Sequence, residues 1–234
     1  MKTILYCSFY VDKNSERRDE IFQSVKRNLY AGFDTIVYFV QTTEEGVTLF
    51  DLVSREESKS NIRIMPTSRI PEINDYLFES NTENSKEDGL TVIQNLDVSF
   101  DQENLHKLKE FFKICGSKTF AALTRWDVTK EGVFLLERAD SQDTFCFTGI
   151  TSNINIPCAC GPGWDNRFVW EFNNAGYACV NPSKDIVTEH LHQVKRNNYR
   201  DEKSGAVIAS TICPEPYLLL QQQTIAECLQ KLNM

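Results

Sequence analysis

The sequence predicts an α/β fold in which a parallel half leads into a mixed half within one domain. Two observations carry this prediction. In the first hundred residues, apolar β-branched runs at 3–10 and 34–40 flank a segment with helical spacing of its apolar residues. Strand, helix and strand over this length form a βαβ unit, which requires a parallel sheet with a right-handed crossover. Beyond Gly116, short strand-like runs follow one another without helices between them, which is typical of antiparallel pairing.

The elements of the first half can be taken in order. Asn14 or Ser15 is predicted to cap the first helix, and Gly32 fits its C′ position. Residues 61–65 predict a third strand, 71–78 a helix and 79–88 a mobile loop. The run 90–93 predicts the buried central strand. The helix that follows runs over 103–115, with Asp101 as its cap and Gly116 at its end.

The second half predicts shorter elements. Residues 121–127, 132–137 and 144–147 favour antiparallel strands, and 153–163 a loop rich in proline and glycine. A helix is expected over 165–172, then strands at 177–180, 185–192 and 206–212, and a last helix over 224–232. There is no internal repeat or linker, so residues 1–234 are predicted to form one domain.

Composition excludes several classes of protein. The 234 residues are 41% hydrophobic and 25% charged, an ordinary globular balance. A net charge of −8 argues against nucleic acid or an anionic membrane as a general partner. No run is long enough to span a membrane. The eight cysteines are scattered, with no Cys-x-x-Cys pair and no secretory leader, which predicts reduced thiols in a cytoplasmic protein.

The central strand ends abruptly at Asn95-Leu96-Asp97. In open α/β sheets, ligands bind beyond the carboxyl ends of the strands, so Asp97 is placed to meet a metal-bound phosphate ligand. The alternative is that Asp97 only caps a turn.

A second block is Gly161-Pro162-Gly163-Trp164-Asp165-Asn166-Arg167. Asp165 is predicted at a helix N-terminus, where the dipole stabilises the anion, and it could act there as a base toward a bound substrate. The alternative is a helix cap with no chemistry, since aspartate is common at that position.

Two of the three histidines, His190 and His192, alternate along a predicted strand and so share one face. With Asp97 nearby they could ligate a metal, or they could be buried and satisfied by hydrogen bonds. A zinc site that adds Cys158 and Cys160 is disfavoured by their tight spacing.

Further polar groups flank the predicted strands. Arg125-Trp126-Asp127 and Ser141-Gln142-Asp143 could line a sugar pocket, or form surface ion pairs and turn caps. Several side chains near strand exits could meet a base or a diphosphate, although arginines on a helix are more often solvated. These side chains are Tyr10, Asn14, Arg17 and Arg69.

The order of these motifs resembles the GT-A glycosyltransferases, which have the nucleotide-diphospho-sugar transferase fold. The similarity is to small single-domain members found in bacteria and large DNA viruses. It covers nearly the whole chain and is most specific from Asn95 to His192. The resemblance implies a Rossmann-like nucleotide-binding half (1–101) and an acceptor-binding half (102–234), with a mainly parallel sheet flanked by helices.

The resemblance also implies roles. Asn95-Leu96-Asp97 matches the family's Asp-x-Asp motif, with Asp97 as ligand of Mn²⁺ or Mg²⁺ and with Asn95 replacing the first aspartate. His190 or His192 would complete the metal site. Asp165 matches the catalytic base of inverting members, with Asp143 in reserve. The expected contacts to a UDP- or GDP-sugar are Phe9, Tyr10, Asn14, Arg17, Gln41, Arg69, Asn95, Leu96 and Asp97. Those expected to bind a glycan or other hydroxyl acceptor are Arg125, Trp126, Asp127, Gly163, Trp164 and Arg167.

Two other functions remain open at this stage. A sugar-1-phosphate nucleotidyltransferase on a related fold would need a glycine-rich basic loop after the first strand, and the segment 11–18 contains no glycine. A module that binds sugar nucleotides without turnover is compatible with the weakened Asn-x-Asp motif.

Overall fold

The computed structural model describes residues 1–85, 89–156, 158, 163–191, 213 and 215–234. Strands and helices alternate through the first half, as predicted. The elements there are β1 (Lys2–Ser8), α1 (Ser15–Tyr30), β2 (Thr35–Val40), α2 (Thr43–Val53), β3 (Asn61–Pro66), α3 (Ile73–Asn84), β4 (Gly89–Gln94), β5 (Val98–Ser99) and α4 (Gln102–Cys115). Those of the second half are β6 (Thr119–Leu123), β7 (Trp126–Thr129), β8 (Gly132–Leu135), β9 (Thr144–Thr148), α5 (Trp164–Asn174), β10 (Ala178–Val180), β11 (Glu189–Leu191) and α6 (Ile225–Lys231).

The main sheet has seven strands in the order β10-β6-β9-β4-β1-β2-β3, so β4 is central. Strands β1, β2, β3 and β4 pair in parallel, as do β6 and β10, and β9 runs antiparallel between β4 and β6. A second sheet of four short strands has the order β5-β11-β7-β8. Parallel strands end at one edge, so the segments that follow β1, β2 and β4 meet there.

The main sheet is buried on both faces. Leu90 and Val92 of β4 face one apolar cluster with α1 and α4, while Ile93 faces the other with α3 and α5. Continuous burial of β2 and β4 is the pattern expected for strands covered by helices on both sides. The fold is therefore a mixed, mainly parallel α/β sheet flanked by helices, as the sequence predicted.

Helix caps lie where the sequence placed them. The Asn14 side chain accepts hydrogen bonds from the main-chain N–H groups of Glu16 and Arg17 at the start of α1. Asp101 caps α4 in the same way. Gly32 follows the C-cap of α1 with φ of +99°, a left-handed conformation that favours glycine.

Several predicted elements differ from the structure. Helix α2 was not predicted, although Thr42 and Glu45 form a capping box at its start. Helix α3 continues to Asn84, through half of the segment predicted as a loop. The strand predicted over 185–192 is reduced to the three residues of β11. The strand predicted over 206–212 lies outside the described residues.

The prediction that all cysteines are reduced is wrong, because Cys158 and Cys213 form a disulfide. These residues are 55 positions apart, so their pairing depends on the fold and leaves no signature in the spacing. The five other described cysteines are buried free thiols. Within the described part of the chain, no helix combines the length and apolarity needed to cross a bilayer.

Candidate active site

Asp97 lies in the turn after the central strand β4 and is 3% exposed. Its carboxylate forms an ion pair with the guanidinium of Arg17 on α1. Arg17 also donates to Glu20 Oε2 over 2.6 Å and to the carbonyl oxygen of Leu191 over 3.3 Å. A buried carboxylate needs a cationic partner of this kind. Arg17 is itself 3% exposed, so the solvated alternative for this residue is wrong.

A polar stripe on α1 holds the whole segment that contains Asp97. Ser24 donates to the carbonyl oxygen of Asp97 over 3.0 Å. Asn28 donates to the carbonyl oxygen of Val98 and accepts from the N–H of Phe100. Sequence reasoning missed these residues, although the signal was present. Arg17, Glu20, Ser24 and Asn28 recur at helical spacing and are all buried, on a face that would otherwise be apolar.

His190 on β11 lies beside Asp97. It is 1% exposed, its Nε2 is 3.6 Å from Asp97 Oδ2, and its Nδ1 is 2.7 Å from Asp127 Oδ1. The parallel register of β11 and β7 sets His190 opposite Asp127. Burial lowers the pKa of His190, although its hydrogen bond to Asp127 opposes this effect. The ring is therefore neutral near pH 7. With Nδ1–H donating to Asp127, the lone pair on Nε2 points toward Asp97.

Asp127 is ionised in this arrangement. Burial by itself opposes the charge, but hydrogen bonds from His190 and Arg125 outweigh burial and hold the pKa of the Asp127 carboxyl well below its usual range. An ionised carboxylate behind a histidine fixes the orientation of the ring and makes its other nitrogen a better metal ligand.

Arg125 connects Asp127 to Asp143. Its Nε donates to Asp127 Oδ1 over 2.8 Å, and its Nη1 donates to both oxygens of Asp143 over 3.1 and 3.0 Å. Asn95 Nδ2 donates to Asp143 Oδ1 over 2.7 Å. The Arg125-Trp126-Asp127 and Ser141-Gln142-Asp143 motifs are thus joined by an ion-pair network. The side chains of Arg125 and Asp143 are only 19% and 8% exposed, so the alternative of a surface ion pair is wrong.

Asp165 is not the cap of α5, which corrects that alternative. Gly163 is the N-cap, with φ of +82°, and Asp165 is the second residue of the helix. A Cβ on Gly163 would approach Tyr217 Oη to 2.7 Å, so both conformation and space favour glycine. The Asp165 carboxylate accepts from the N–H of Asn166 over 3.0 Å and of Gln142 over 3.2 Å.

The pKa of Asp165 is shifted in the opposite direction from that of Asp127. Burial, and then the negative charge of nearby Asp143, raise the pKa of Asp165 to about 7, while the two N–H groups oppose this shift. A carboxyl group with a pKa near 7 is suited to accept and return a proton near neutral pH.

The remaining predicted acceptor contacts have structural partners. Trp126 donates its Nε1–H to the carbonyl oxygen of Ser183 over 2.8 Å. Trp164 is 6% exposed and packs edge-on against Phe145, so its indole presents little surface to a substrate. Arg167 bonds to Glu171 on the next turn of α5.

The other predicted nucleotide contacts divide into residues that the fold itself uses and residues that lie nearer the surface. Phe9 and Leu96 are buried in the core, and Asn14 is engaged as a cap. Tyr10 is half-buried against the core and Gln41 is exposed after β2. Arg69 lines a cleft of about 320 Å³ at the ends of β2 and β3 and pairs with Asp75 over 2.7 and 3.0 Å.

His192, the other predicted metal ligand, lies outside the described residues, as does Cys160. The described residues contain no group of three or more His, Cys, Asp or Glu side chains placed to hold a metal ion. Asp97 and His190 do converge, and both are ligand types that Mn²⁺ accepts. The zinc alternative finds no support among the described residues, because Cys158 is bonded to Cys213.

The fold is similar to that of solved glycosyltransferases. No family model and no curated protein matches the chain. Among solved structures, it is similar to residues 1–349 of TarS from S. aureus in complex with UDP-GlcNAc, at 13% identity and a TM-score of 0.56, covering 84% of this chain and 60% of that one. It is also similar to the mannosyltransferase PcManGT from Pyrobaculum calidifontis in complex with GDP-Man and Mn²⁺, at 11% identity and a TM-score of 0.51, covering 81% and 56%. The chain thus spans less than two thirds of these structures, and the likeness concerns the fold.

Proposed function

We propose that this chain is a glycosyltransferase that moves a sugar from a UDP- or GDP-sugar to a hydroxyl group of a glycan or another acceptor. The observation that carries the proposal is the pair of dissimilar carboxylates at the strand ends. Asp97 forms an ion pair with Arg17, and burial raises the pKa of Asp165 to about 7. A carboxylate paired with a cation suits the binding of charge, and a carboxyl group with a raised pKa suits proton transfer.

Asp165 is the general base in this proposal. Its carboxylate takes the proton of the acceptor hydroxyl while the acceptor oxygen forms a bond to the anomeric carbon. The bond from that carbon to the diphosphate oxygen breaks, and the electron pair leaves with the nucleoside diphosphate. One base suffices for this single displacement, so we propose that configuration is inverted.

The two halves of one domain divide the substrates. Residues 1–101 hold the donor, with its base in the cleft beside Arg69 and its diphosphate near Asp97. Residues 102–234 hold the acceptor, between the Arg125 network and Asp165. The placement of Arg69 at the ends of β2 and β3, and of Asp97 after β4, supports this division.

Asp97 and His190 are the proposed ligands of a divalent metal. Asp97 Oδ2 and His190 Nε2, which are 3.6 Å apart, would hold the ion together, and Asp127 already orients the ring. Two protein ligands are enough for Mn²⁺ or Mg²⁺ when phosphate oxygens and water complete the shell. Such an ion supplies positive charge that offsets the charge developing on the leaving diphosphate.

A donor screen tests the proposal. Melting temperatures are measured against a panel of nucleotide sugars with and without Mn²⁺, and release of nucleoside diphosphate is then measured for each stabilising donor. We expect one donor class to stabilise the protein in a Mn²⁺-dependent way, and acceptor to accelerate release.

Other outcomes identify the rival functions. Pyrophosphate formation from a nucleoside triphosphate and a sugar 1-phosphate would identify a nucleotidyltransferase. Saturable donor binding without release under any acceptor would identify a binding module. Either result would contradict the proposed transfer.

A further inference from the structure

Asn95 occupies the position of the first aspartate in the metal-binding motif of the family that the chain resembles, but its hydrogen bonds indicate a different role. Its side-chain Nδ2 donates to Asp143 Oδ1 over 2.7 Å. Its main-chain N–H donates to the carbonyl oxygen of the same Asp143 over 2.9 Å. Asn95 therefore binds Asp143, at the start of the neighbouring strand β9, through both its backbone and its side chain.

Asp143 needs a donor at this position. It is 6% exposed, and its two oxygens accept from Arg125 as well as from Asn95. An amide supplies an N–H to this carboxylate, whereas an ionised aspartate at position 95 is an acceptor only. Two carboxylates at hydrogen-bond distance in a buried site repel each other, and one of the hydrogen bonds is lost.

The connection extends beyond Asp143. Arg125 bridges Asp143 to Asp127, and Asp127 holds Nδ1 of His190. The position of Asn95 is thus transmitted through four charge-assisted contacts to the ring of His190, which is proposed to face the metal. Contacts of this kind orient a ligand without touching the substrate.

We propose that Asn95 is a positioning residue whose amide holds Asp143 against Arg125, and that Asp143 is the reason an aspartate is not suited to position 95. The role in transfer rests on the proposed function, whereas the pairing itself does not. Asn95 then orders the acceptor side of the site and is not a ligand of the nucleotide sugar.

Exchanging the two side chains tests the pairing. Asn95→Asp should lower the melting temperature by about 5–10 °C, as expected for a buried like-charge pair in a chain of this size. The double variant N95D/D143N restores one amide, one carboxylate and the charge facing Arg125, and should recover at least half of that loss. Asn153→Asp, the same change at an exposed loop position, is the control and should shift melting by no more than about 1 °C.

The pairing would be overturned if Asn95→Asp melted like Asn153→Asp, or if the double variant lost as much as the two single variants together. These outcomes need no activity, so they separate this inference from the proposed function.

Donor affinity tests the role. Asn95→Ala should leave the calorimetric Kd for the preferred nucleotide sugar within about twofold, while transfer falls roughly tenfold or more through kcat or the acceptor KM. A donor Kd raised tenfold would overturn the positioning role and make Asn95 a donor ligand. If the wild-type protein binds no nucleotide sugar, the proposed function fails, and the exchange experiment still decides whether Asn95 pairs with Asp143.

Discussion

The candidate active site has a proposed donor end at Asp97 and a proposed acceptor end at Asp165, and the two ends place a carboxylate in opposite surroundings. At the donor end, Asp97 is buried beside the guanidinium of Arg17, with Glu20 next to the same cation. At the acceptor end, Asp165 accepts from two main-chain N–H groups and lies near the negative charge of Asp143. Among the described residues, no ion pair involves Asp165.

In the proposed function, this difference separates the binding of charge at Asp97 from proton transfer at Asp165. A cation beside a buried carboxylate favours its ionised form, and Arg17 lies in this position beside Asp97. Burial, together with the negative charge of Asp143, raises the affinity of Asp165 for a proton. Asp143 belongs to the acceptor end, where it binds Arg125 and its negative charge acts on Asp165.

The largest effect is expected from removing the charge at the acceptor end. Asp165→Asn should reduce transfer by roughly 10²–10⁴-fold, the usual contribution of a positioned general base, and should leave donor affinity intact. Steady-state transfer at saturating donor and acceptor measures this. Asp101→Asn, the same change at the start of another helix, is the matched control and should transfer normally.

The Asp165→Asn variant should also change the way in which stability depends on pH. Because the pKa of Asp165 is raised in the folded protein, the unfolded chain loses this proton first as pH rises from about 4 toward 7. The wild-type protein therefore loses stability over that window, and Asp165→Asn does not. A variant that transferred near-normally, or that was less stable than wild type above pH 7, would contradict the assignment of Asp165.

Removing the cation at the donor end is expected to cost stability. Arg17→Met removes the guanidinium that pairs with both Asp97 and Glu20, and it should lower the free energy of unfolding by about 3–5 kcal/mol. Urea denaturation measures this change. Arg18→Met, at the neighbouring and more exposed position, is the control. If the two variants were equally stable, the ion pair of Arg17 with Asp97 would have no structural role.

The disulfide between Cys158 and Cys213 cross-links the half of the chain that contains the acceptor end. Among the described residues, no disulfide lies at the Asp97 end. Alkylation of the denatured protein without reductant should modify at most six of the eight cysteines, because two are bonded. Cys213→Ser should lower the free energy of unfolding by about 2–4 kcal/mol. Modification of all eight cysteines in the untreated protein would show that Cys158 and Cys213 are not paired.

The smallest effect concerns the negative charge of Asp143 near Asp165. The rate kcat/KM should rise with pH below about 7 and level off above it, because Asp165 must lose its proton to act as a base. Asp143→Asn removes a nearby negative charge, so the rising limb of this pH–rate profile should move to lower pH by about one unit. Asp51→Asn, at an exposed position on α2, should leave the limb unchanged. A limb that stayed in place in the Asp143 variant would mean that burial alone sets the pKa of Asp165.

Local patterns in the sequence predicted most of the fold. The periodicity of α1, the cap at Asn14 and the buried run of β4 needed only neighbouring residues, and each was confirmed. Helix α2 was missed because its sequence contains a glycine and several β-branched residues, which weaken the helical pattern. Its capping box was the available signal.

The sequence by itself also determined which residue types follow the strands, and hence that Asp97, Asp127, Asp143, Asp165 and His190 are candidates for a site. Only the tertiary structure decided their partners. Arg17 and Asp97 are 80 positions apart, His190 and Asp127 are 63 apart, and Asn95 and Asp143 are 48 apart. Sequence periodicity reports which face of one element is buried, but ion pairs between elements depend on strand order and register. The residue types of the candidate site could therefore be read from the sequence, whereas the ion pairs between them depend on how the seven-stranded sheet assembles.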